Sequence, residues 1–136
     1  MSKIREGKPF GEWVKYYEDK DHSKFMLHEN EELCYERDRG FFTWDYNVFQ
    51  HLLIIPKMCG DGKYFRPKIR RMGLRARQID SNFKGILFCT KRNPKVYMRI
   101  VGGRLYKQEK EDGKTYSYIL VDPRFTKVPM EEPDDK

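Results

Sequence analysis

A short loop near the middle of the chain carries residue types that suit an anion. Gly60, Gly62 and Lys63 follow an apolar run of strand length at 51–55 and precede a segment with helical periodicity. When such a loop leads into a helix, unpaired backbone N–H groups and the positive end of the helix dipole converge on one point. The pattern predicts a phosphate site, to which Lys63 and Arg66 add positive charge. A plain strand-to-helix connector is the alternative, since glycines are common there for backbone reasons alone.

Three polar side chains on the predicted central strands have the chemistry of a general base. His51, Asp45 and Glu36 are the residues best placed to take a proton from a substrate. Polar residues on strands more often face solvent, and the direction of His51 depends on the strand register. His51 and Glu36 are the predicted catalytic residues on this basis.

A segment rich in arginine and lysine follows the glycine loop. Apolar residues recur in it at steps of three and four, which predicts an amphipathic helix. Its basic residues are Lys63, Arg66, Lys68, Arg70, Arg71, Arg75 and Arg77. A solvated face is the commoner meaning of such a charge run. The alternative is a phosphate-binding surface, in which Arg70, Arg71 and Arg75 contact a nucleic-acid backbone.

Composition predicts one domain with an anionic partner. A chain of 136 residues with 38% hydrophobic residues is long enough for one core and too short for two ordinary domains. Residues 1–127 are predicted to form that domain, and the acidic segment 128–136 is predicted to be disordered. The net charge of +7 points to nucleotide cofactors, nucleic acid or acidic proteins as partners.

Cysteine usage and hydropathy predict the compartment. Cys34, Cys59 and Cys89 are odd in number, far apart and without metal-ligand spacing, so neither a disulfide framework nor a metal site is indicated. No apolar stretch approaches the length of a membrane span, and the first residues do not resemble a signal sequence. The expectation is a cytoplasmic protein with no bound metal and no membrane partner.

Hydrophobic periodicity predicts a mixed fold. Helices are expected at 9–19, 64–82 and 94–101, and strands at 24–28, 32–37, 41–46, 48–55, 85–90, 104–110 and 114–121. Asp45 and Asn47 mark either a tight turn or a bulge. The strand–helix–strand order across 48–90 implies a parallel crossover with its helix packed on the sheet. The predicted fold class is α/β (α+β), with a mixed, mostly antiparallel central sheet flanked by helices.

This order of elements resembles the GNAT superfamily of acyl-CoA N-acyltransferases over about residues 41–121. The best local matches are Pro56 with the loop 60–63, and the segment 90–94 followed by a short helix and Gly103. The resemblance implies a central strand that splays from its neighbour, with the pantetheine arm of acetyl-CoA in the gap. The cofactor-binding residues that it implies are Leu53, Ile54, Ile55, Lys57, Gly60, Gly62, Lys63, Arg66 and Asn93. As an N-cap, Asn93 also has a purely structural explanation.

The sequence departs from the family's pattern in two places. Its loop reproduces only the paired glycines, with Lys63 offset. Many members carry a tyrosine that protonates the leaving thiolate in the short helix after the second strand. This chain has Met98, Arg99 and Ile100 there, and Tyr97 lies about a helical turn too early.

Two functions are expected from these observations. The first is an acyl-CoA-dependent N-acyltransferase, or an acyl-CoA-binding protein of this type, that acetylates an unidentified amine by direct attack with His51 or Glu36 as base. The second is a catalytically inactive GNAT-like protein, of a kind that phages encode. It would bind nucleic acid or an acidic, nucleic-acid-handling protein through Arg70, Arg71 and Arg75, in the host cytoplasm or in a virion. Exposed strand edges also allow a homodimer.

Overall fold

The computed structural model describes residues 9–21, 24–91 and 93–124. They form an α+β domain in which three helices flank a seven-stranded, mostly antiparallel sheet. The elements are α1 (Phe10–Asp21), β1 (Glu32–Glu36), β2 (Gly40–Asn47), β3 (Leu52–Ile55), β4 (Met58–Gly60), α2 (Gly62–Ile79), β5 (Gly85–Thr90), α3 (Pro94–Val101), β6 (Arg104–Glu111) and β7 (Lys114–Val121). The predicted fold class is confirmed. The predicted domain boundary at 127 and the tail 128–136 lie outside the described residues.

The sheet is built around one parallel pair. Its strand order is β1-β2-β3-β5-β7-β6, and β4 pairs with β2 beside this path. β3 and β5 run parallel and are joined by α2, as the strand–helix–strand pattern predicts. All other pairs among the described strands are antiparallel. Because β3 and β5 are parallel, the start of α2 and the end of β5 both lie at the carboxyl ends of these strands.

Apolar side chains alternate between the two faces of the sheet, as the period of a strand requires. Phe65 and Ile69 of α2 pack on Leu53 and Ile55 of β3 on one face. On the other face, α1 buries Trp13 and Tyr17 against Phe41 and Cys59. The central strands therefore have apolar cores on both sides, which fixes their register.

Three local predictions require correction. Residues 24–28 do not form a strand, because Phe25 packs edge-on against Phe10 and Phe41 while its N–H bonds the Glu18 carboxylate. The basic helix begins and ends earlier than 64–82, since the side chain of Asp61 caps it and Asp80 ends it. β2 continues through Asp45 to Asn47, so the turn falls at 48–51.

Candidate functional site

The parallel strands β3 and β5 part after four residue pairs. They are in register from Leu52 opposite Gly85 to Ile55 opposite Phe88. From Asp45 opposite Ile54 to Phe42 opposite Met58, β2 advances three residues while the facing chain advances four. One residue is therefore extra, which makes a bulge between β3 and β4. Beyond it, β4 pairs with β2 alone among the described strands.

β5 continues past the bulge without β3 beside it. Cys89 and Thr90 pair with β7 on one side, opposite Tyr118 and Ser117. We call the gap between β4 and residues 89–90 the strand opening. No described strand lies between β4 and the end of β5 there.

The predicted cofactor-binding residues divide between paired and unpaired backbone. Leu53 and Ile54 lie in ladders with β2 on one side and β5 on the other, and Ile55 is paired with Phe88. Their backbone groups are thus engaged inside the sheet. Lys57 accepts a hydrogen bond from Thr43 N–H at 3.0 Å at the bulge, where the opening begins.

Two helices begin near the carboxyl ends of β4 and β5. α2 starts two residues after β4, and α3 starts at Pro94, shortly after β5. The first turn of a helix has unpaired N–H groups and the positive end of the helix dipole. Each helix has a side-chain cap: Asp61 Oδ1 accepts from Tyr64 N at 3.1 Å, and Asn93 Oδ1 accepts from Lys95 N at 2.9 Å. Asn93 therefore acts as the N-cap that the sequence suggests.

A carboxylate occupies the predicted phosphate position. Besides capping α2, Asp61 forms an ion pair with Arg39, at 2.9 Å between Oδ2 and Nη1. Lys63 in the same turn is exposed, and Arg66 one turn later is half-buried. An incoming phosphate would share the helix start with Asp61 or displace it, and Arg39 and Lys63 would then face the phosphate.

The glycines of the loop have different reasons to be glycine. Gly60 has a φ of +103°, and a Cβ there would lie 2.2 Å from the carbonyl oxygen of Arg39. Gly40 has a φ of +116°, and its Cβ would lie 2.1 Å from the carbonyl oxygen of Cys59. The close approach of the paired strands β2 and β4 at Gly40 and Gly60 thus explains Gly60, as the connector interpretation expects. Gly62 has more space, because a Cβ there would lie 3.3 Å from its nearest neighbour, the Met58 sulfur.

The side chain of Lys57 is buried against Glu31 and does not face an anion in solvent. Its Nζ lies 3.0 Å and 2.8 Å from the two carboxylate oxygens of Glu31, and the side chains are 10% and 2% exposed. Burial alone would raise the pKa of Glu31, but bonds from the His28 N–H and from Lys57 outweigh it and hold that pKa below its usual value. Only the backbone of Lys57 is available to a cofactor. Glu31 was not among the predicted site residues.

Glu36 lies beside the first turns of α2. Its carboxylate accepts from the Tyr64 hydroxyl at 3.0 Å and from Lys68 Nζ at 3.3 Å. The bond to Glu36, together with burial, raises the pKa of Tyr64. The Arg39 guanidinium sits 4.4 Å from the centre of the Tyr64 ring. The structure therefore brings Glu36 together with the Asp61 end of the loop.

His51 lies at the other end of β3. Its Nδ1 is 2.8 Å from Asp80 Oδ2, and the Tyr46 hydroxyl donates to the same oxygen. The bonds from Tyr46 and His51 hold the pKa of Asp80 at about 2, while burial and the bond to Asp80 raise the pKa of Tyr46 to about 12. At about 3.3 Å per strand residue, roughly 20 Å separates His51 from Lys57. His51 and Glu36 thus belong to different sites.

The predicted nucleic-acid residues are not all on one face of α2. Arg71 and Arg75 are exposed one turn apart, whereas Arg70 is half-buried and its Nε has no hydrogen-bond partner. No acidic side chain within residues 9–21, 24–91 and 93–124 forms an ion pair with any of the three. Arg71 and Arg75 therefore present uncompensated charge to solvent.

One tyrosine at the strand opening was not predicted as a site residue. Tyr118 lies opposite Cys89 in the register of β5 and β7, and its hydroxyl is 3.4 Å from Glu109. Burial foremost, and then the neighbouring Cys89 and Glu109, raise the pKa of Tyr118, so the phenol stays protonated at neutral pH. In the sequence, Tyr118 is one of the alternating residues of a predicted hairpin strand, a pattern typical of ordinary sheet packing. The only sequence signal for a site residue is its distance from the hairpin turn.

Comparison with protein-family models, curated proteins and solved structures found no match to this chain. No helix among the described residues is long and apolar enough to cross a membrane. In that same part of the chain, no group of three or more His, Cys, Asp or Glu side chains is arranged to hold a metal ion.

Proposed function

We propose that this chain binds an acyl-CoA in the strand opening and transfers its acyl group to an amine. The observation that carries the proposal is the parting of β3 and β5 after Ile55 and Phe88, at the bulge beyond which the chain stays paired with β2 but not with β5. A splay between these strands is what the resemblance to the GNAT superfamily implies, so the parting supports the proposal. The start of α2 follows β4 at this place.

The parting of the strands suits a pantetheine arm. Pantetheine carries two amide groups, and an extended amide chain adds to a strand edge through the same hydrogen bonds that a β-strand uses. Because Leu53 and Ile54 are already paired on both sides, the backbone partner would be Met58 of β4, which pairs with β2 alone among the described strands.

The charged groups at the start of α2 suit the diphosphate. Lys63 and Arg66 would contact it together with the first N–H groups of the helix. Arg39 would shift from Asp61 to the phosphate, since a guanidinium pairs with either anion in bidentate fashion. Asp61 opposes binding, so the free energy of its repulsion lowers the affinity.

Two residues have the chemistry for transfer. The amine nitrogen attacks the thioester carbonyl carbon, the C–S bond breaks, and the departing thiolate accepts a proton. Glu36, which lies on the α2 face of the sheet with β2 and β4 between it and the opening, would receive the proton that the amine loses. Tyr118, which is held protonated beside Cys89, would supply the proton to the thiolate.

Isothermal titration calorimetry with acetyl-CoA and with free CoA tests the proposal at moderate salt, where nonspecific attraction is screened. We expect saturable binding that Lys63→Glu weakens at least tenfold. Lys84→Glu makes the same charge change at the amino end of β5 and should bind as the parent chain does. No heat of binding in the parent chain, or equal loss in both variants, would refute the proposal.

A second function is favoured by the charge on α2. Arg71 and Arg75 are exposed and unpaired among the described residues, and α2 contains no acidic residue. We infer that, in a protein that does not use the cofactor site, this surface binds a nucleic-acid backbone. Each phosphate contact releases a counterion, so the affinity should fall steeply with salt.

Fluorescence anisotropy with labelled single-stranded and duplex oligonucleotides tests this second function. Arg71→Glu combined with Arg75→Glu should abolish binding and flatten the salt dependence. Lys15→Glu combined with Lys20→Glu gives the same change in net charge on α1 and should retain most of the affinity. Equal effects of the two double variants would show that net charge alone attracts the oligonucleotide.

A further inference from the structure

The strand β6 forms an open edge of the sheet. All eight of its residues are exposed, and it pairs with β7 on one side only among the described strands. A strand edge with unpaired N–H and C=O groups is a template for another strand. Its length and complete exposure distinguish it from β1, whose last three residues are partly buried.

The hairpin turn determines which backbone groups of β6 face outward. Asp112 and Gly113 have φ values of +53° and +76°, as a two-residue type I′ turn requires. The C=O of Glu111 then bonds the N–H of Lys114. Because bonding direction alternates along an antiparallel strand, Glu109 and Lys107 also face β7, whereas Gln108 and Lys110 face outward.

The charges of β6 select one register for pairing with a second copy. Outward-facing residues must lie opposite outward-facing residues, so an antiparallel self-pairing can shift only in steps of two. Centring on Gln108 places Lys107 opposite Glu109 of the second copy, and the reverse. The neighbouring registers place Lys107 opposite Lys107, or Glu109 opposite Glu109, and like charges directly opposite are unfavourable.

We propose that β6 pairs with β6 of a second copy of this chain, antiparallel about a two-fold axis at Gln108. Gln108 forms the central hydrogen-bonded pair. Lys107 and Glu109 then form two symmetric ion pairs at non-hydrogen-bonded positions, where facing side chains are closest. Charges on an edge strand protect it when they repel a neighbour. Of the three registers, only the one centred on Gln108 joins opposite charges without also placing a pair of like charges opposite each other, so these charges specify a dimer.

The contacts already present on this face fit that arrangement. Lys107 and Glu109 lie on the same face, 3.1 Å apart between Nζ and Oε2, with Tyr118 beneath them. Both side chains are about half exposed, so a partner strand reaches them without rearrangement. The two-fold axis keeps the faces of the two sheets aligned and extends the Lys107–Glu109 pair into a ring of four charges.

Sedimentation velocity of the full chain over a concentration series tests the proposal by charge reversal. We expect a reversible dimer, with Lys107→Glu or Glu109→Lys each raising the dissociation constant about tenfold or more, since either change makes two facing pairs repulsive. The double variant Lys107→Glu/Glu109→Lys restores opposite charges and should restore the dimer. Circular dichroism melts establish that each variant is folded.

A backbone variant provides an independent readout. Gln108→Pro removes an outward N–H while leaving the bonds to β7. Gln108→Ala keeps that N–H and loses the same side-chain bond to Ser117, at 2.9 Å in the parent chain. The proline variant should be monomeric and the alanine variant dimeric. A parent chain that stays monomeric at the highest concentration, or a dimer that neither reversal nor proline weakens, would overturn the proposal.

Discussion

The two ends of α2 carry the same residue type in opposite electrostatic settings. Asp61 lies at the start of the helix, where the dipole favours a negative charge, and Asp80 lies at the end, where the dipole disfavours it. Asp80 is held there by Tyr46 and His51. Among the described residues, Asp61 has one ion-pair partner, Arg39, whereas replacement of Asp80 would leave two side chains without their acceptor.

The strands beside the two ends of α2 also differ. The end of α2 lies beside the amino end of β3, where β3 begins with partners on both sides and the polar groups of the preceding turn bond to each other. At the carboxyl end of β3, β3 and β5 part, and no described strand lies between β4 and the end of β5. The comparison assigns a structural role to the His51 end. The proposed ligand site is at the other end, where the strands part.

The largest expected effect concerns the ion pair at the parting of the strands. Glu31→Gln leaves the buried Lys57 ammonium without its counter-charge, which should cost about 3 kcal/mol of unfolding free energy. Glu32→Gln, at the exposed neighbouring position, is the matched control and should change stability little. Urea denaturation measures both. Equal midpoints for the two variants would mean that Lys57 reaches water and that the parting is not held by this pair.

The close approach of β2 and β4 at Gly40 and Gly60 should show the next largest effect. Gly40→Ala places a Cβ 2.1 Å from a carbonyl oxygen at a φ of +116°, and should cost about 2 kcal/mol or more. Gly11→Ala meets nothing within 4 Å and should be neutral or slightly stabilising. Thermal melts compare them. A tolerated alanine at Gly40 would show that β4 does not approach β2 this closely.

Much of the frame, and little of the site, was predictable from the sequence. The crossover helix, the parallel pair and the cap at Asn93 depend on periodicity and on neighbouring residues, so local patterns reveal them. Gly60 was interpreted as part of a phosphate loop, but its neighbour Gly40 is 20 positions earlier, and only the strand pairing brings them together. Phe25 was assigned to a strand because no local pattern shows that it enters an aromatic cluster.

The side-chain partnerships were missed for the same reason. The bond from Lys57 to Glu31 spans 26 positions, and the bonds from Tyr46 and His51 to Asp80 span 34 and 29. Residue type gave His51 the chemistry of a base, yet its partner at the end of α2 depends on how the helix packs. Chemical character is local in a sequence, whereas the setting that decides its use is not.

The stability contributed by the cluster of Tyr46, His51 and Asp80 should depend on acid pH. A carboxyl with a depressed folded-state pKa stabilises the fold above its ordinary pKa, and that contribution is lost as the pH falls. For Asp80 the loss should run from about 4 down to about 2. Denaturation at a series of pH values should show a shallower decline for Asp80→Asn than for the parent chain. An unchanged pH dependence would show that Asp80 is not hydrogen-bonded to Tyr46 and His51 in solution.

The smallest effect gives the sharpest contrast between the two ends of α2. Asp61→Ser supplies a hydroxyl to cap the helix and removes the charge that competes with a diphosphate. Acetyl-CoA affinity should therefore rise about twofold to fivefold, because removing a charge at a helix start changes the local free energy modestly. The same substitution at Asp80, at the far end of α2, should lower stability and leave the dissociation constant unchanged. Calorimetry of the two variants compares the ends directly. Weaker binding by Asp61→Ser would mean that the carboxylate orients Arg39 for the ligand, and that Asp61 is a positioning residue at the helix start.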